Sequence, residues 1–317
     1  MEHDCHIYWE KNSDAIGDVI KTRREMLGLS RKELCEGICS ERTLMRMELR
    51  QVKSQIPIVR ELFDKLGLCA EYIRGRIITN NIEAIQLAER LVDYTNHYEM
   101  EKWENCLNLL EEKLDMEIVY NKQFIMRIRN LLEFCKQNIS KEVFIEKLIE
   151  CLEYTVPLKS VLNANKCYMT DEESICILNI ATRLDISKEN PYMTVLQNIA
   201  NEYMKEDKIA VQVSMYELLM TEIASYLGNI GEYDKSDAIS RKVLKECLQY
   251  GRLHLLTNNL YNNVWNYQKR VEKNLLIPQQ YNEVMELKRC ILLARIAKAD
   301  NQIRFLEEVL SDLTLKF

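Results

Sequence analysis

Residues that break or turn the chain are scarce in this sequence. Only 8 of its 317 residues are glycine and only 4 are proline. Turn-rich all-β folds need these residues at almost every hairpin, whereas helices need them only near their ends. The scarcity argues against an all-β fold, and a content of 47% apolar residues is enough for packed domains.

Long apolar runs and paired cysteines are also missing. No stretch approaches the roughly 18 apolar residues of a transmembrane helix, and the polar opening MEHDCHIYWEKNSDA lacks the pattern of a signal peptide. The 11 cysteines are scattered without a C-x-x-C pair, which is typical of neither a disulfide framework nor a zinc ribbon. We therefore expect a soluble, cytoplasmic protein with reduced thiols and no membrane partner.

Recognisable catalytic motifs are absent as well. The sequence contains no P-loop, no H-E-x-x-H, no G-x-S-x-G and no G-x-G-x-x-G after a strand. His3, Asp4, Cys5 and His6 are potential metal ligands, but such a cluster in a polar terminus is more typical of a disordered segment. We expect no enzymatic activity, no cofactor and no metal site.

Charge is distributed unevenly along the chain. The net charge of -6 argues against a protein that coats nucleic acid along its whole length. Residues 20–60, however, contain 10 Lys or Arg against 5 Asp or Glu, whereas residues 77–317 carry a net charge of -7. Any contact with nucleic acid is therefore expected in the N-terminal segment.

The N-terminal segment has the helix signals of a DNA-binding domain. Apolar residues at helical spacing predict a first helix that ends at Gly28. Ser30 and Glu33 have the spacing of a capping box, and Ser40 is the predicted N-cap of a third helix with one apolar and one basic face. The predicted helices cover residues 16–27, 31–37 and 41–50, and a fourth follows Pro57.

Residues 29–50, LSRKELCEGICSERTLMRMELR, also carry a family resemblance. They resemble the first domain of Rgg- and PlcR-type transcription regulators, whose usual pattern is close to LS-x-x-E-L-A-x-G-I-x-S-x-x-x-L-S-R-x-E-x-G. The positions that match in register are Leu29, Ser30, Glu33, Leu34, Gly37, Ile38, Ser40, Leu44, Arg46 and Glu48. The departures are Arg31, Cys35, Met45, Leu49 and Arg50. The resemblance implies a five-helix helix-turn-helix domain at 16–68, with Glu48 in an internal ion pair.

The predicted DNA contacts come from the second and third helices. A helix N-terminus offers free N–H groups and a positive dipole end to phosphates. Arg42 and Arg46 are expected to reach base edges, and Arg31 and Lys32 are expected to hold phosphates. The full predicted set is Arg31, Lys32, Ser40, Glu41, Arg42, Thr43, Arg46 and Arg50. The alternative for this segment is a small helical domain that binds protein.

Long amphipathic helices follow from about residue 82. They are predicted at 82–98, 101–117, 119–137, 140–154, 171–184, 191–205, 210–228, 232–249, 253–271, 279–298 and 300–316. Residues 231–236, GEYDKS, resemble the turn of a tetratricopeptide repeat, and Trp103 with Cys106 forms a weaker copy. We predict an all-α chain with a flexible lead at 1–15, a linker at 69–81 and a tetratricopeptide-like α-solenoid at 82–317.

Asparagines on one predicted helix are the signal for a ligand. LLTNNLYNNVWNYQ places four of them at spacings i, i+3, i+4 and i+7, which is one helix face. Asn is a mediocre helix former, but its amide both donates and accepts, as binding an extended peptide backbone requires. The predicted peptide-binding residues are Thr221, Ser225, Asn229, Asn259, Asn262, Asn263 and Asn266. The alternative is a solvated face in a protein that overuses asparagine.

A DNA-binding domain followed by helical repeats is similar to the arrangement of peptide-pheromone receptors of Gram-positive bacteria. The resemblance implies a quorum-sensing transcription regulator that binds an operator in double-stranded DNA and responds to a short signalling peptide. A homodimer is expected, because one recognition helix reads too few base pairs. Two other hypotheses stay open: a helical-repeat interaction scaffold, and a DNA-binding regulator whose repeats only dimerise.

Overall fold

The computed structural model describes residues 13–52, 56–68, 77–184, 189–203, 210–250, 255–277 and 281–314. Every regular element in these ranges is a helix, which confirms the all-α prediction. None of the helices in the same ranges combines the length and the apolar character needed to cross a membrane. The candidate metal ligands His3, Asp4, Cys5 and His6 lie outside the described residues.

The chain packs as two compact units. The first comprises Met1–Arg183 and Pro191–Gln212, and the second comprises Leu184–Asn190 and Val213–Phe317. The helix-turn-helix segment and the first repeat helices both belong to the first unit, and residues 69–76 of the predicted linker at 69–81 lie outside the described residues. The domain boundary at 69–81 stays a prediction.

Four helices form the N-terminal part of the first unit: α1 Ser13–Met26, α2 Arg31–Cys35, α3 Glu41–Glu48 and α4 Ile56–Lys65. The resemblance implied five helices at 16–68, and the described residues of this range form these four. Their inner faces meet in a core that contains the fully buried side chains of Ile20, Leu34, Leu44 and Leu62. Burial of these apolar faces is the main force that holds the four helices together.

Side-chain caps fix the residues at which α2 and α3 begin. Ser30 Oγ accepts from the Glu33 N–H at 3.1 Å, and Glu33 Oε2 accepts from the Ser30 N–H at 2.7 Å. Ser40 Oγ accepts from the Thr43 N–H at 3.1 Å. Each bond satisfies an N–H group that has no partner inside its helix. The predicted capping box and N-cap are thus confirmed.

The first unit continues with α5 Ile82–His97, α6 Met100–Glu111, α7 Val119–Cys135, α8 Lys141–Glu153, α9 Leu158–Asn163, α10 Asp171–Arg183 and α11 Pro191–Tyr203. Helix α9 has no counterpart in the sequence prediction, and α6 ends earlier than predicted. Trp103 of α6 is fully buried, with Cys106 beside it in the same core. This is the position expected for the aromatic residue that fills the groove of a tetratricopeptide repeat.

The remaining helices are α12 Ala210–Asn229, α13 Tyr233–Tyr250, α14 Leu256–Glu272, α15 Glu283–Ile296 and α16 Asp300–Thr314, and they belong to the second unit from Val213 onward. Gly231 adopts a φ of 87° between α12 and α13, and the Tyr233 ring that follows is buried. Ser236 Oγ donates to the Ala224 carbonyl of α12 at 2.7 Å. The turn thus has the aromatic and small residues that the repeat pattern predicts.

The cysteines of the described ranges are free thiols, and most of them are buried. Burial raises the pKa of the Cys151 thiol to about 11 and that of the Cys290 thiol to about 12. A thiolate is poorly solvated in such surroundings, so these thiols stay protonated and unreactive at neutral pH. They contribute packing, as the sequence indicates.

Candidate DNA-binding and peptide-binding sites

Helix α3 has one apolar face and one basic face. Leu44 and Met47 are buried in the core, whereas Arg42 and Arg46, one turn apart, are exposed. The helix begins at the capped Ser40, which leaves a positive dipole end beside the two arginines. The arrangement has the amphipathic form that a major-groove recognition helix needs.

Glu48 connects the three helices of the helix-turn-helix. Its carboxylate is buried, with Oε1 accepting from Arg24 Nε at 2.6 Å and Oε2 accepting from Arg31 Nε at 2.8 Å. Arg24 lies on α1 and Arg31 on α2, so this group on α3 links all three helices. The ion pair expected for Glu48 is confirmed. The Arg31 side chain keeps 34% of its surface exposed. This residue, predicted to hold a phosphate, thus also stabilises the domain through its ion pair with Glu48.

Arg50 follows α3 with a left-handed φ of 57°. Its N–H donates to the Met47 carbonyl at 3.1 Å, and the Gln51 N–H donates to the Arg46 carbonyl at 2.8 Å, which closes the C-terminal turn of the helix. A residue with a Cβ atom is strained at this φ, and the resembling regulators tend to have glycine in this turn. The guanidinium also forms an exposed ion pair with Asp18 of α1.

The predicted DNA-binding residues lie on α2 and α3 or at their ends. The exposed members are Lys32, Ser40, Glu41, Arg42, Arg46 and Arg50. Arg31 and Thr43 are half-buried, and the Thr43 hydroxyl is 2.8 Å from that of Ser40. All eight thus lie between residues 31 and 50, on two consecutive helices or directly beside them. Their contact with DNA stays a prediction.

The asparagine face of α14 is largely enclosed by neighbouring helices. Asn259 is fully buried, and Asn262 is 8% exposed. Asn259 Nδ2 donates to Thr221 Oγ1 at 2.7 Å, and Ser225 Oγ donates to Asn262 Oδ1 at 2.9 Å. These two bonds join α14 to α12.

Asn266, also fully buried, belongs to a charged network at the start of α13. Its Nδ2 donates to Ser236 Oγ at 2.8 Å and to Asp237 Oδ1 at 2.7 Å. One turn further on α14, Arg270 donates to Asp237 Oδ2 at 2.8 Å. A Cβ atom on Gly228 of α12 would lie 2.5 Å from Asn266 Oδ1. The absence of a side chain at Gly228 is therefore what lets α12 and α14 approach this closely.

Burial divides the predicted peptide-binding residues into two groups. The enclosed members are Thr221, Asn259 and Asn266. Each of them takes part in a hydrogen bond to a neighbouring helix, but the amide oxygens of Asn259 and Asn266 have no hydrogen-bond partner. Of the other members, Asn229 is exposed, Ser225 and Asn263 are half-buried, and Asn262 is buried. For both groups, contact with a peptide stays a prediction.

A buried ion pair that the sequence analysis missed joins α1 to α10. Arg23 Nη2 donates to Glu173 Oε1 at 2.6 Å and Arg23 Nη1 donates to Oε2 at 3.0 Å, with both side chains fully enclosed. The guanidinium also donates to the main-chain carbonyls of Leu66, Thr155 and Tyr168. All of its donors are thereby satisfied by groups from both the helix-turn-helix and the repeat helices of the first unit.

One sequence signal points to Arg23. It lies three positions after Ile20, on the apolar face of α1 that also includes Ile16. A cation on an apolar face needs a partner once it is buried. Glu173, the partner, lies 150 positions further along the chain, so nothing local identifies it.

No family model and no curated protein sequence matches this chain. Solved structures do match. PlcR of Bacillus thuringiensis, in complex with the peptide PapR7 and DNA, gives a TM-score of 0.56 at 17% identity, over 92% of this chain and 98% of that one. ComR of S. thermophilus, in complex with DNA and its signalling peptide ComS, gives a TM-score of 0.55 at 17% identity, over 94% of this chain and 99% of that one. The apo form of ComR from S. thermophilus gives a TM-score of 0.50 at 17% identity, over 96% of this chain and 99% of that one.

At this level of identity the likeness establishes the fold. The resemblance to PlcR-type proteins, predicted with specificity from residues 29–50 alone, is therefore confirmed as a likeness in fold over nearly the whole chain. The chain has the fold of PlcR and ComR, a helix-turn-helix segment followed by tetratricopeptide-like helices.

Proposed function

We propose that this protein is a cytoplasmic, quorum-sensing transcription regulator that binds operator DNA through α3 and responds to a short signalling peptide in its repeat helices. The observation that carries the proposal is the exposed pair Arg42 and Arg46 on a capped helix. It is supported by the fold, since PlcR and ComR were both solved with DNA and a peptide. The proposal requires neither a cofactor nor a catalytic group.

In the proposed complex α3 enters the major groove with its Ser40 end foremost. Arg42 and Arg46 then reach base edges, where a guanidinium donates two hydrogen bonds to guanine. Lys32, exposed on α2, contacts a phosphate and fixes the register of the domain on the duplex. Base contacts supply sequence preference, whereas the phosphate contact supplies affinity for any duplex.

Single substitutions separate these two kinds of contact. Arg42→Ala and Arg46→Ala should each weaken operator binding by about 1–3 kcal/mol and relax its sequence preference. Lys32→Ala is the matched control, which should weaken all duplexes equally and reduce the salt slope by about one. Fluorescence anisotropy over a series of salt concentrations measures both effects. A folded Arg42/Arg46 double variant with wild-type affinity would refute the DNA-binding assignment.

The proposed regulator is a homodimer. One α3 reads too few base pairs to define an operator, and two recognition helices about 34 Å apart fit successive major grooves on one side of the duplex. Light scattering of the full chain at micromolar concentration should give the mass of a dimer. A monomeric mass both in free solution and on operator DNA contradicts this part of the proposal.

The peptide-binding part rests on polar side-chain atoms of α14 that have no hydrogen-bond partner. An extended peptide carries N–H and C=O groups that cost free energy when they are buried without partners. Nδ2 of Asn262 and Oδ1 of Asn263 are themselves buried without a hydrogen-bond partner. Buried polar atoms of this kind are uncommon, and a peptide backbone would supply the missing partners.

Two other functions predict different results. In an interaction scaffold the first domain would bind protein in place of DNA, so the protein would lack the steep salt dependence of duplex affinity that phosphate contacts produce. A regulator whose repeats only dimerise would bind DNA but no peptide. Native mass spectrometry of the purified protein, before and after incubation with a peptide extract of the source cells, should show the added mass of one short peptide per chain. DNA binding without such a mass favours the second alternative.

A further inference from the structure

Two apolar side chains are exposed on the same side of α3 as its arginines. Met45 has 36% of its surface exposed and Leu49, one turn further, has 48%. The core contacts of the helix come from Leu44 and Met47. Met45 belongs neither to that core nor to the residues packed against it, so its exposed surface beside the two arginines is available for contact with a partner.

The neighbours of Met45 define the chemistry of that partner. Arg42 and Arg46 flank it on one arc of the helix and are exposed. An apolar protein surface would cover the methionine but bury two guanidinium groups without partners, which costs free energy. The major groove satisfies all three side chains, because it combines phosphates, guanine acceptors and one apolar group, the C5-methyl group of thymine.

We propose, on the basis of the function proposed for α3, that Met45 is a specificity-determining residue that contacts the C5-methyl group of a thymine. Side chains three or four positions apart on a helix are separated by about 5–6 Å, and successive nucleotides of a strand by about 3.4 Å. The thymine therefore lies one or two base steps from a guanine that Arg42 or Arg46 contacts.

The side chain at this position suits the role. Methionine is unbranched, flexible and polarizable, so it adapts to a small methyl group at the edge of a base. The resembling regulators usually have serine here, which offers a hydroxyl to either donors or acceptors but little apolar surface. Exchange of Met45 for serine should thus remove the thymine preference without disturbing the core.

The test uses an operator that the full-length protein selects from random duplexes. Each thymine of that operator is replaced in turn by deoxyuridine, which removes only the methyl group. The wild-type protein should lose affinity about fourfold at the contacted thymine, the effect expected for one buried methyl group. The Met45→Ser protein should bind the thymine and uracil versions of that position equally well.

Met285→Ser is the matched control, because Met285 is an exposed methionine on α15 and lies outside the helix-turn-helix. This variant should keep the wild-type preference for thymine, and circular dichroism should show wild-type helix content for both variants. If the wild-type protein binds no duplex, the proposed function fails and this inference fails with it. If it binds an operator and every uracil substitution affects wild type and Met45→Ser equally, only this inference is overturned.

Discussion

Arg50 illustrates a residue with two opposing effects. Its left-handed φ of 57° costs about 1–2 kcal/mol for a residue that has a Cβ atom. Its exposed ion pair with Asp18 returns little of that free energy, because solvent screens both charges. In the proposed function the guanidinium contacts the DNA backbone, which gives a reason for arginine at a position that suits glycine.

Arg50→Gly should therefore raise the free energy of unfolding by about 0.5–1 kcal/mol while it weakens DNA binding. Urea denaturation measures the first effect, and anisotropy titration measures the second. Glu89→Gly, at an exposed position inside α5, is the control and should lower stability by about 1 kcal/mol through helix propensity alone. A loss of stability in Arg50→Gly would show that the turn is not strained.

At the scale of one element, α14 uses its asparagines in two ways. Asn259 and Asn266 are buried against α12 and α13, whereas Asn263 is only half-buried. The packing at Asn266 depends on Gly228, since a Cβ atom there would lie 2.5 Å from the Asn266 amide oxygen. The amide is held by two hydrogen bonds and has little room to move aside.

Gly228→Ala should for this reason lower the free energy of unfolding by about 1–3 kcal/mol, although alanine is the better helix former. In the Asn266→Ala background the steric conflict is gone, and the same Gly228→Ala change should raise stability. A double-mutant cycle by urea denaturation measures the reversal of sign. Equal effects of Gly228→Ala in both backgrounds would rule out the proposed conflict.

The accessible side of α14 gives a separate prediction about the ligand. Asn263→Ala should weaken binding of the cognate peptide by about 1 kcal/mol and leave stability nearly unchanged. Asn258→Ala is the matched control on the same helix, because the Asn258 amide oxygen already accepts from Gln302 Nε2 at 2.8 Å. Calorimetric titration of both variants tests the difference. Wild-type affinity in Asn263→Ala would remove this residue from the site.

At the scale of the molecule, the Arg23–Glu173 pair fixes the helix-turn-helix to the repeat helices of the first unit. The pair is fully enclosed, so removal of one partner leaves a buried charge without compensation. This contact makes the helix-turn-helix and the first repeats one structural unit, in which the boundary at 69–81 is crossed by a buried ion pair.

Arg23→Met should lower the free energy of unfolding by about 3–5 kcal/mol, because Glu173 loses its partner. The double variant Arg23→Met/Glu173→Leu should be more stable than the single one, since no unpaired charge then remains. Arg295→Met is the control, because Arg295 Nη2 lies 2.6 Å from Glu307 Oε1 in an exposed ion pair. Loss of this exposed pair should change the free energy of unfolding by less than about 1 kcal/mol. Denaturation of all three by urea distinguishes a buried from an exposed pair.

The sequence by itself determined the local structure of this protein. Apolar periodicity and the caps at Ser30 and Ser40 depend on residues within about four positions, so they located the helix-turn-helix and the long helices but not the short α9. The same local patterns identified the basic face of α3 and the turn at Gly231. They also predicted which asparagines share a face of α14.

Only the tertiary structure decided which of these polar residues are enclosed. Asn259 and Asn263 are four positions apart on one face, yet the first is fully buried and the second is half-buried. Arg23 and Glu173 form their pair across 150 positions. The helical period predicts which residues lie on one face of a helix. The segments that pack against that face lie far away in the sequence, so local patterns do not identify them.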